Sequence, residues 1–253
     1  MNLNLHYRLK NLLLRILPGG YGYYRKLKNY RDPHYVHERD KHPVRYKHHG
    51  RGGWKEDRGE ICYRDYASYD EYVTHQVQKW DEKLKIEGGF ESKDILMYRR
   101  KFYRRFHHLK RFIPFSADIL CAGARQGTEV EVLRDLGYHK AWGIDLNPGP
   151  VNSLVVVGDF MHIEKPDSSL DLLYTNSIDH AFNLDDFFAE HARVIKPDGY
   201  VLYDLSIQEG GPFEAVEWKH EEAIFLMMLK YFSKVIEVRT DGDWKWVLLQ
   251  GKK

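Results

Sequence analysis

The chain predicts an α/β protein with a Rossmann-like, mostly parallel seven-stranded sheet, an antiparallel C-terminal edge hairpin and a basic helical N-terminal extension. Three observations predict it. From Ala117 onward, short apolar runs alternate with amphipathic stretches, the order that builds a parallel sheet covered on both faces. Three runs end at a Gly-rich turn or a carboxylate: at Cys121 to Gly127, at Gly143-Ile144-Asp145 and at Gly158-Asp159. The last two runs are joined by Thr240-Asp241-Gly242-Asp243, a turn-forming stretch short enough for a hairpin.

Taken in order, residues 3–17 place Leu5, Leu9, Leu12, Leu13, Ile16 and Leu17 at helical spacing among Arg8, Lys10 and Arg15, and Pro18-Gly19-Gly20 ends the run. Such a helix suits packing on its own domain or peripheral association with an anionic membrane. Residues 18–66 show little periodicity and read as an extended basic arm, so 1–66 forms the first unit. Six histidines fall between His6 and His49, but without Cys partners or His-x3-His spacing they make a poor metal site, and no metal is expected. Ser68 and Glu71 form a capping box that opens a helix to about Leu84. A second helix, Ser92 to Phe112, interleaves Arg99, Arg100, Lys101, Arg104 and Arg105 with Tyr98, Phe102, Tyr103 and Phe106. That pattern fits a helix burying its aromatic face on a sheet; stacking on RNA is the alternative. The two helices make a helical cap over 67–116. In the third unit, 117–253, strands are expected at 117–122, 141–145, 154–158, 170–175, 199–204, 234–239 and 244–250, and helices at 127–136, 183–195 and 213–232.

The net charge of +2 conceals an asymmetry: residues 1–116 hold 26 Lys+Arg against 14 Asp+Glu, and the remainder 13 against 23. A basic front would meet anionic partners first. Two cysteines are too few for a disulfide framework, no run approaches the roughly 20 apolar residues that span a bilayer, and Lys10 and Arg15 interrupt the only leader-like stretch. A cytoplasmic location is expected.

The strand ends bear on the cofactor. A dinucleotide site needs Gly-x-Gly-x-x-Gly so that the backbone can approach a pyrophosphate, and Arg125 stands where a glycine is wanted. S-adenosyl-L-methionine has no pyrophosphate and needs only one tight turn and one carboxylate at the second strand end. Asp118 to Leu205 resembles a class I S-adenosylmethionine-dependent methyltransferase of the type-11 methyltransferase domain. The resemblance rests on the Cys121 to Gly127 loop, Gly143-Ile144-Asp145, Gly158-Asp159-Phe160, Leu170 to His180 and Arg193 to Gly199. It implies that Gly123 and Gly127, with Cys121, Ala124 and Arg125, form the turn under the methionine moiety. It further implies that Asp145 accepts from the ribose hydroxyls, that Asp159 accepts from the adenine amino group, that Phe160 or Leu146 covers the ring, and that Asn176 and Ser177 line the reaction side. Two departures stand out. Cys121 occupies a position that is usually acidic, and Arg125 one that is usually glycine, where it would reach the methionine carboxylate or an acidic substrate, or else pair with Glu129 on the surface.

Methyl transfer to a hydroxyl needs an aligned acceptor and a base. His180, next to Asp179, is the candidate base, with substrate positioning as its other reading. Tyr69, Tyr72, His75 or Gln76 would complete the site if the helix from Ser68 covers it. Cys62 has no evident base partner, and no covalent nucleophile is expected. The expectation is O-methylation of a small-molecule or glycan acceptor, a sugar hydroxyl by preference. RNA methylation and a non-catalytic interaction protein on the same fold are the alternatives, and a nicotinamide reductase is the weakest.

Overall fold

The computed structural model describes residues 53–57, 60–87, 92–149, 153–206, 211–241 and 244–253, all within one compact unit, His48–Lys253. The helix expected over 3–17 and most of the arm expected over 18–66 lie outside the described residues. The described residues hold ten strands and five α-helices. Two strands come first, β1 (Trp54–Asp57) and β2 (Ile61–Arg64), then helices α1 (Tyr69–Glu87) and α2 (Ser92–Phe106). The alternating part follows as β3 (Ile119–Ala122), α3 (Thr128–Asp135), β4 (Ala141–Asp145), β5 (Val155–Val157), β6 (Leu170–Thr175), α4 (Leu184–Val194) and β7 (Ile195–Ser206). It closes with β8 (Val216–Trp218), α5 (Glu221–Tyr231), β9 (Phe232–Asp241) and β10 (Trp244–Lys252).

Seven strands form one sheet in the order β5-β4-β3-β6-β7-β10-β9. The first five are parallel, and β10 runs antiparallel to both β7 and β9. The strand period of two splits the core between the faces. Leu120, Ala122, Leu173, Val201, Tyr203, Val247 and Leu249 pack with α4 and α5, whereas Ile119, Cys121, Leu172, Tyr174, Leu202 and Leu248 pack with α2 and α3. The central strands β3 and β6 are therefore buried almost throughout, as expected where a sheet is covered on both sides, whereas the edge strands β5 and β9 keep exposed positions. Ser68 caps the helix as expected, its Oγ accepting from the Glu71 N–H at 3.2 Å, while the Glu71 carboxylate accepts from the Ala67 N–H, one residue before the cap.

Three expectations need correction. The end of the extended arm is a hairpin, β1 with β2, completed by β8 into a separate antiparallel sheet of order β1-β2-β8. Its strands have three or four residues and their partner lies far along the chain, so local periodicity carries no signal of them. The helix expected over 213–232 begins only at Glu221, because Val216 and Trp218 are buried on alternate positions against β2 and His220 is extended. The helix expected to Phe112 ends at Phe106 and is followed by a 3-10 turn, Leu109–Arg111.

On α2, Phe102 and Phe106 are buried, and Phe106 meets Tyr174 edge to face at 4.8 Å. Arg105, also buried, pairs with Asp204, while Arg99 pairs with Glu131 and Asp135 of α3. The aromatic face of this helix serves the core.

Candidate active site

An open parallel sheet binds ligands beyond the carboxyl ends of its strands, where the strand order reverses. Here that point lies between β3 and β6. Beyond β3 the chain turns through Gly123 at φ +72°, Arg125 at φ +44° and Gly127 at φ +79°, and Gly127 then starts α3. The loop is held by Gly123 and Ala124 N–H groups donating to the Ile144 carbonyl, at 2.9 and 3.0 Å, and by Gly127 N–H donating to Ala124 at 2.7 Å. Close approach demands glycine at both ends. A Cβ on Gly123 would stand 3.0 Å from Ser177 Oγ, and one on Gly127 2.9 Å from Val155 Cγ2. Arg125 tolerates a left-handed backbone because its N–H donates to Asp145 Oδ2 at 2.9 Å.

Asp145 ends β4. Its Oδ1 accepts from the Asn147 N–H at 2.8 Å. Burial raises its carboxyl above the ordinary range, and these two backbone donors oppose that. A carboxylate offers about four lone-pair sites, so two remain for hydroxyl donors. The turn-capping role and the ribose-binding role are thus compatible in one side chain. Cys121 is fully buried and its thiol is pushed well up by burial, so it carries no charge at neutral pH. The carboxyl that sequence reasoning assigned to the surface, Glu129, is 5% exposed. Burial lifts it to about 8; the field of Asp145 adds to the rise and Arg125 opposes it. Glu129 also acts on the Cys121 thiol, so an ionisable acid stands close to the position where Cys121 lacks one.

Beyond β5, Asp159 Oδ1 accepts from the Met161 N–H at 2.8 Å and Oδ2 accepts from the Tyr69 hydroxyl. Phe160 is buried and packs edge to face on Phe187 at 5.4 Å, whereas Leu146 is half-buried at the edge. Helix α1 lies across the site along one stripe. Tyr69 bonds Asp159, the Tyr72 hydroxyl donates to the His180 carbonyl at 2.9 Å, Gln76 Nε2 donates to the Phe213 carbonyl at 2.9 Å, and Lys79 Nζ reaches His180 Nε2. Offsets of three and four residues put these four on one helix face. His75 lies beside that stripe, bonded to Tyr66 at 2.7 Å and stacked on Phe213.

After β6, Ser177 Oγ is 3.3 Å from Asn176 Oδ1, and a 3-10 turn, Ile178–His180, follows. His180 Nδ1 is 3.0 Å from the Phe213 carbonyl and its Nε2 is 3.9 Å from Asp179 Oδ2. Burial pushes the Asp179 carboxyl up to about 6; Lys79 opposes this and Glu214 adds to it. Among the described residues, a carboxylate oxygen each from Asp179 and Glu214 and an imidazole nitrogen of His180 lie within 4.8 Å of one another. The imidazole nitrogen on the Asp179 side, Nε2, is the one Lys79 reaches.

The structure thus gathers the loop residues Cys121 to Gly127, Asp145, Leu146, Asp159, Phe160 and Asn176 to His180 along one sheet edge under α1. Lys79, Glu129, Phe213 and Glu214 join them without having been foreseen. A lysine on an amphipathic helix reads as solvent-facing and a first-turn glutamate reads as a helix-dipole partner, so neither carried a distinguishing signal.

Residues 120–203 match the family model described as a methyltransferase domain. No curated protein matches the chain. Among solved structures, the chain resembles a Burkholderia thailandensis 1,6-didemethyltoxoflavin-N1-methyltransferase bound to its substrate and S-adenosylhomocysteine. That match has a TM-score of 0.55 and 14% identity, covering 79% of this chain and 98% of that one. It also resembles the methyltransferase in a Haloferax volcanii complex with the Trm112 methyltransferase activator, at TM-score 0.53 and 16% identity, covering 74% and 100%. A Thermotoga maritima S-adenosylmethionine-dependent methyltransferase aligns at TM-score 0.50 and 13% identity, over 68% and 98%. At these identities the likeness establishes the fold.

Proposed function

From the chain's place among the class I S-adenosylmethionine-dependent methyltransferases, we propose that it methylates an oxygen of a small-molecule or glycan acceptor, a sugar hydroxyl by preference. The loop fits the cofactor: Gly123 and Gly127 let the turn pack against Ser177 and Val155, where a Cβ would clash, and Asp145 keeps acceptor capacity toward hydroxyls. In this reading Gly123, Ala124, Arg125 and Gly127 hold the methionine end and Asp145 the ribose. Asp159 holds the adenine amino group, with Tyr69 shared or displaced, and Leu146 covers the ring while Phe160 supports it from the core. Asn176 and Ser177 line the reacting side. When bound, the cofactor supplies a methyl group on a sulfonium, already reactive enough to need no covalent help from the protein.

The observation that carries the reading is the fixed imidazole of His180. A carbonyl can only accept, so the Phe213 contact makes Nδ1 the protonated nitrogen of the neutral ring and leaves the lone pair on Nε2. Such a ring takes a proton from a hydroxyl, and Asp179 stands beside it to stabilise the charge that forms. The basic amphipathic stretch over 3–17 supports an acceptor presented at an anionic surface.

RNA as acceptor is less favoured, since the aromatic face of α2 is buried on the sheet. Incubating a cell extract with isotope-labelled cofactor and the purified protein, then reading labelled products by mass spectrometry, tests the assignment. A labelled methyl ether on a sugar or other small molecule supports it. Label confined to RNA transfers the assignment there, and cofactor binding without any labelled product assigns a non-catalytic platform.

A further inference from the structure

A cation occupies the place from which His180 would draw a proton. Lys79 Nζ is 2.5 Å from His180 Nε2, and an ammonium has no lone pair, so Lys79 is the donor in this contact. Lys79 is 8% exposed, which leaves little water to screen its charge. The groups acting on the pair come from several elements, and the Asp145 carboxylate that ends β4 also feels the Lys79 charge. Asp179 lies on the same turn, with Oδ2 3.9 Å from Nε2, and Glu214 comes from the segment after β7. Tyr72 of α1 donates to the His180 carbonyl and is kept neutral by burial. Arg125 of the β3–α3 loop acts on Asp179 from further away.

We propose that Lys79 is the positioning residue that keeps His180 neutral and reserves its Nε2 lone pair until an acceptor hydroxyl displaces the ammonium toward Asp179 and Glu214. The inference rests on His180 being the base. With a neutral imidazole, the Lys79 ammonium offsets part of the negative charge that Asp179 and Glu214 place around the ring. A proton taken up on the ring meets the remaining negative charge, so the carboxylates stabilise the imidazolium as it forms. Lys79 is what stops them from protonating the ring beforehand, since its removal takes away the ammonium that opposes the two carboxylates at Nε2. In the reaction the hydroxyl proton passes to Nε2, whose lone pair becomes the new N–H bond. The acceptor oxygen takes the methyl group, and the pair of the broken carbon–sulfur bond remains on sulfur.

The test needs neither cofactor nor acceptor. The full chain, labelled with 15N-histidine, is titrated by NMR as wild type, Lys79→Met, Lys79→Gln and Lys79→Arg, with His180→Gln assigning the signal. The His180 midpoint is expected to rise by about one pH unit or more in Lys79→Met and Lys79→Gln, and to stay near wild type in Lys79→Arg. Lys79→Gln keeps an N–H donor at Nε2 while removing the charge, so it decides the matter if Lys79→Met fails to fold. An unchanged midpoint in Lys79→Gln overturns the proposal and leaves Lys79 a packing residue. Failure of the wild type to bind S-adenosylmethionine in a separate calorimetric titration would strike the methyltransferase reading instead, without moving these midpoints.

Discussion

Removing the Asp204 carboxylate decides whether the basic helix α2 is built to hold the sheet or to grip a polyanion. Asp204 and Arg105 are each 1% exposed and paired, and the Tyr174 hydroxyl donates to the same Asp204 oxygen at 3.3 Å. Burial pushes the Asp204 carboxyl up and the Arg105 guanidinium acts against that push. Asp204→Leu leaves the guanidinium buried without its counter-charge, a loss of about 3–5 kcal/mol. For a domain of this size each kcal/mol moves Tm by roughly 2–4 °C, so the melting point should fall on the order of 10 °C. The double variant Arg105→Met/Asp204→Leu makes both partners apolar and should recover most of the loss. Urea unfolding of wild type, Arg105→Met, Asp204→Leu and the double variant closes the cycle, with the slope checked for constancy. A single variant within about 1 kcal/mol of wild type, or a double variant no better than the single, would refute the reasoning. Arg105 would then be free for another partner, and salt-dependent RNA binding would become the measurement to make.

Two further outcomes follow from the geometry. Gly127→Ala forces a left-handed backbone, at about 1–2 kcal/mol, and sets a Cβ 2.9 Å from Val155 Cγ2 and 3.0 Å from Leu154 Cβ, overpacking worth about 1–3 kcal/mol. Thermal melts should show a loss of about 2–5 kcal/mol in total, and an unchanged Tm contradicts the loop assignment. His191, fully buried in α4 with Nδ1 3.0 Å from the Tyr203 hydroxyl, has its pKa lowered by burial from 6.5 to about 3. Between those values the unfolded chain holds a proton that the folded chain refuses, so stability falls as pH drops below 6.5, by about 1.4 kcal/mol per unit. Denaturation midpoints measured from pH 7 to 4.5 should show that slope reduced in His191→Gln; an equal slope in both proteins rules His191 out as its source.

The alternating half of the fold was legible because its inner strands are mostly apolar and the first three run into glycines or carboxylates, features visible in a few consecutive residues such as Gly143-Ile144-Asp145. The same rule that ligands gather at carboxyl strand ends pointed to the edge where Gly123, Asp145, Asp159 and His180 now lie. The small sheet was illegible because pairing β2 with β8 depends on contacts such as Arg64 N–H to the Ala215 carbonyl, made across most of the chain. Val216-Glu217-Trp218 carries too few residues for its period of two to compete with the helical pattern after it. Within the site, backbone partners escaped for a related reason: the Phe213 carbonyl orients His180, and a carbonyl has no residue type to betray it. Lys79 and Glu129 were hidden because burial, which gives them their meaning, comes from elements distant in sequence.

The account stands or falls most directly on calorimetric titration of S-adenosylmethionine into the wild type and Asp145→Ala. Two hydrogen bonds to a charged acceptor, at about 1.5 kcal/mol or more each, amount to about 100-fold in affinity. Wild-type binding that weakens by that factor in Asp145→Ala is the predicted result. Equal affinity in the two proteins, or no binding by either, contradicts it.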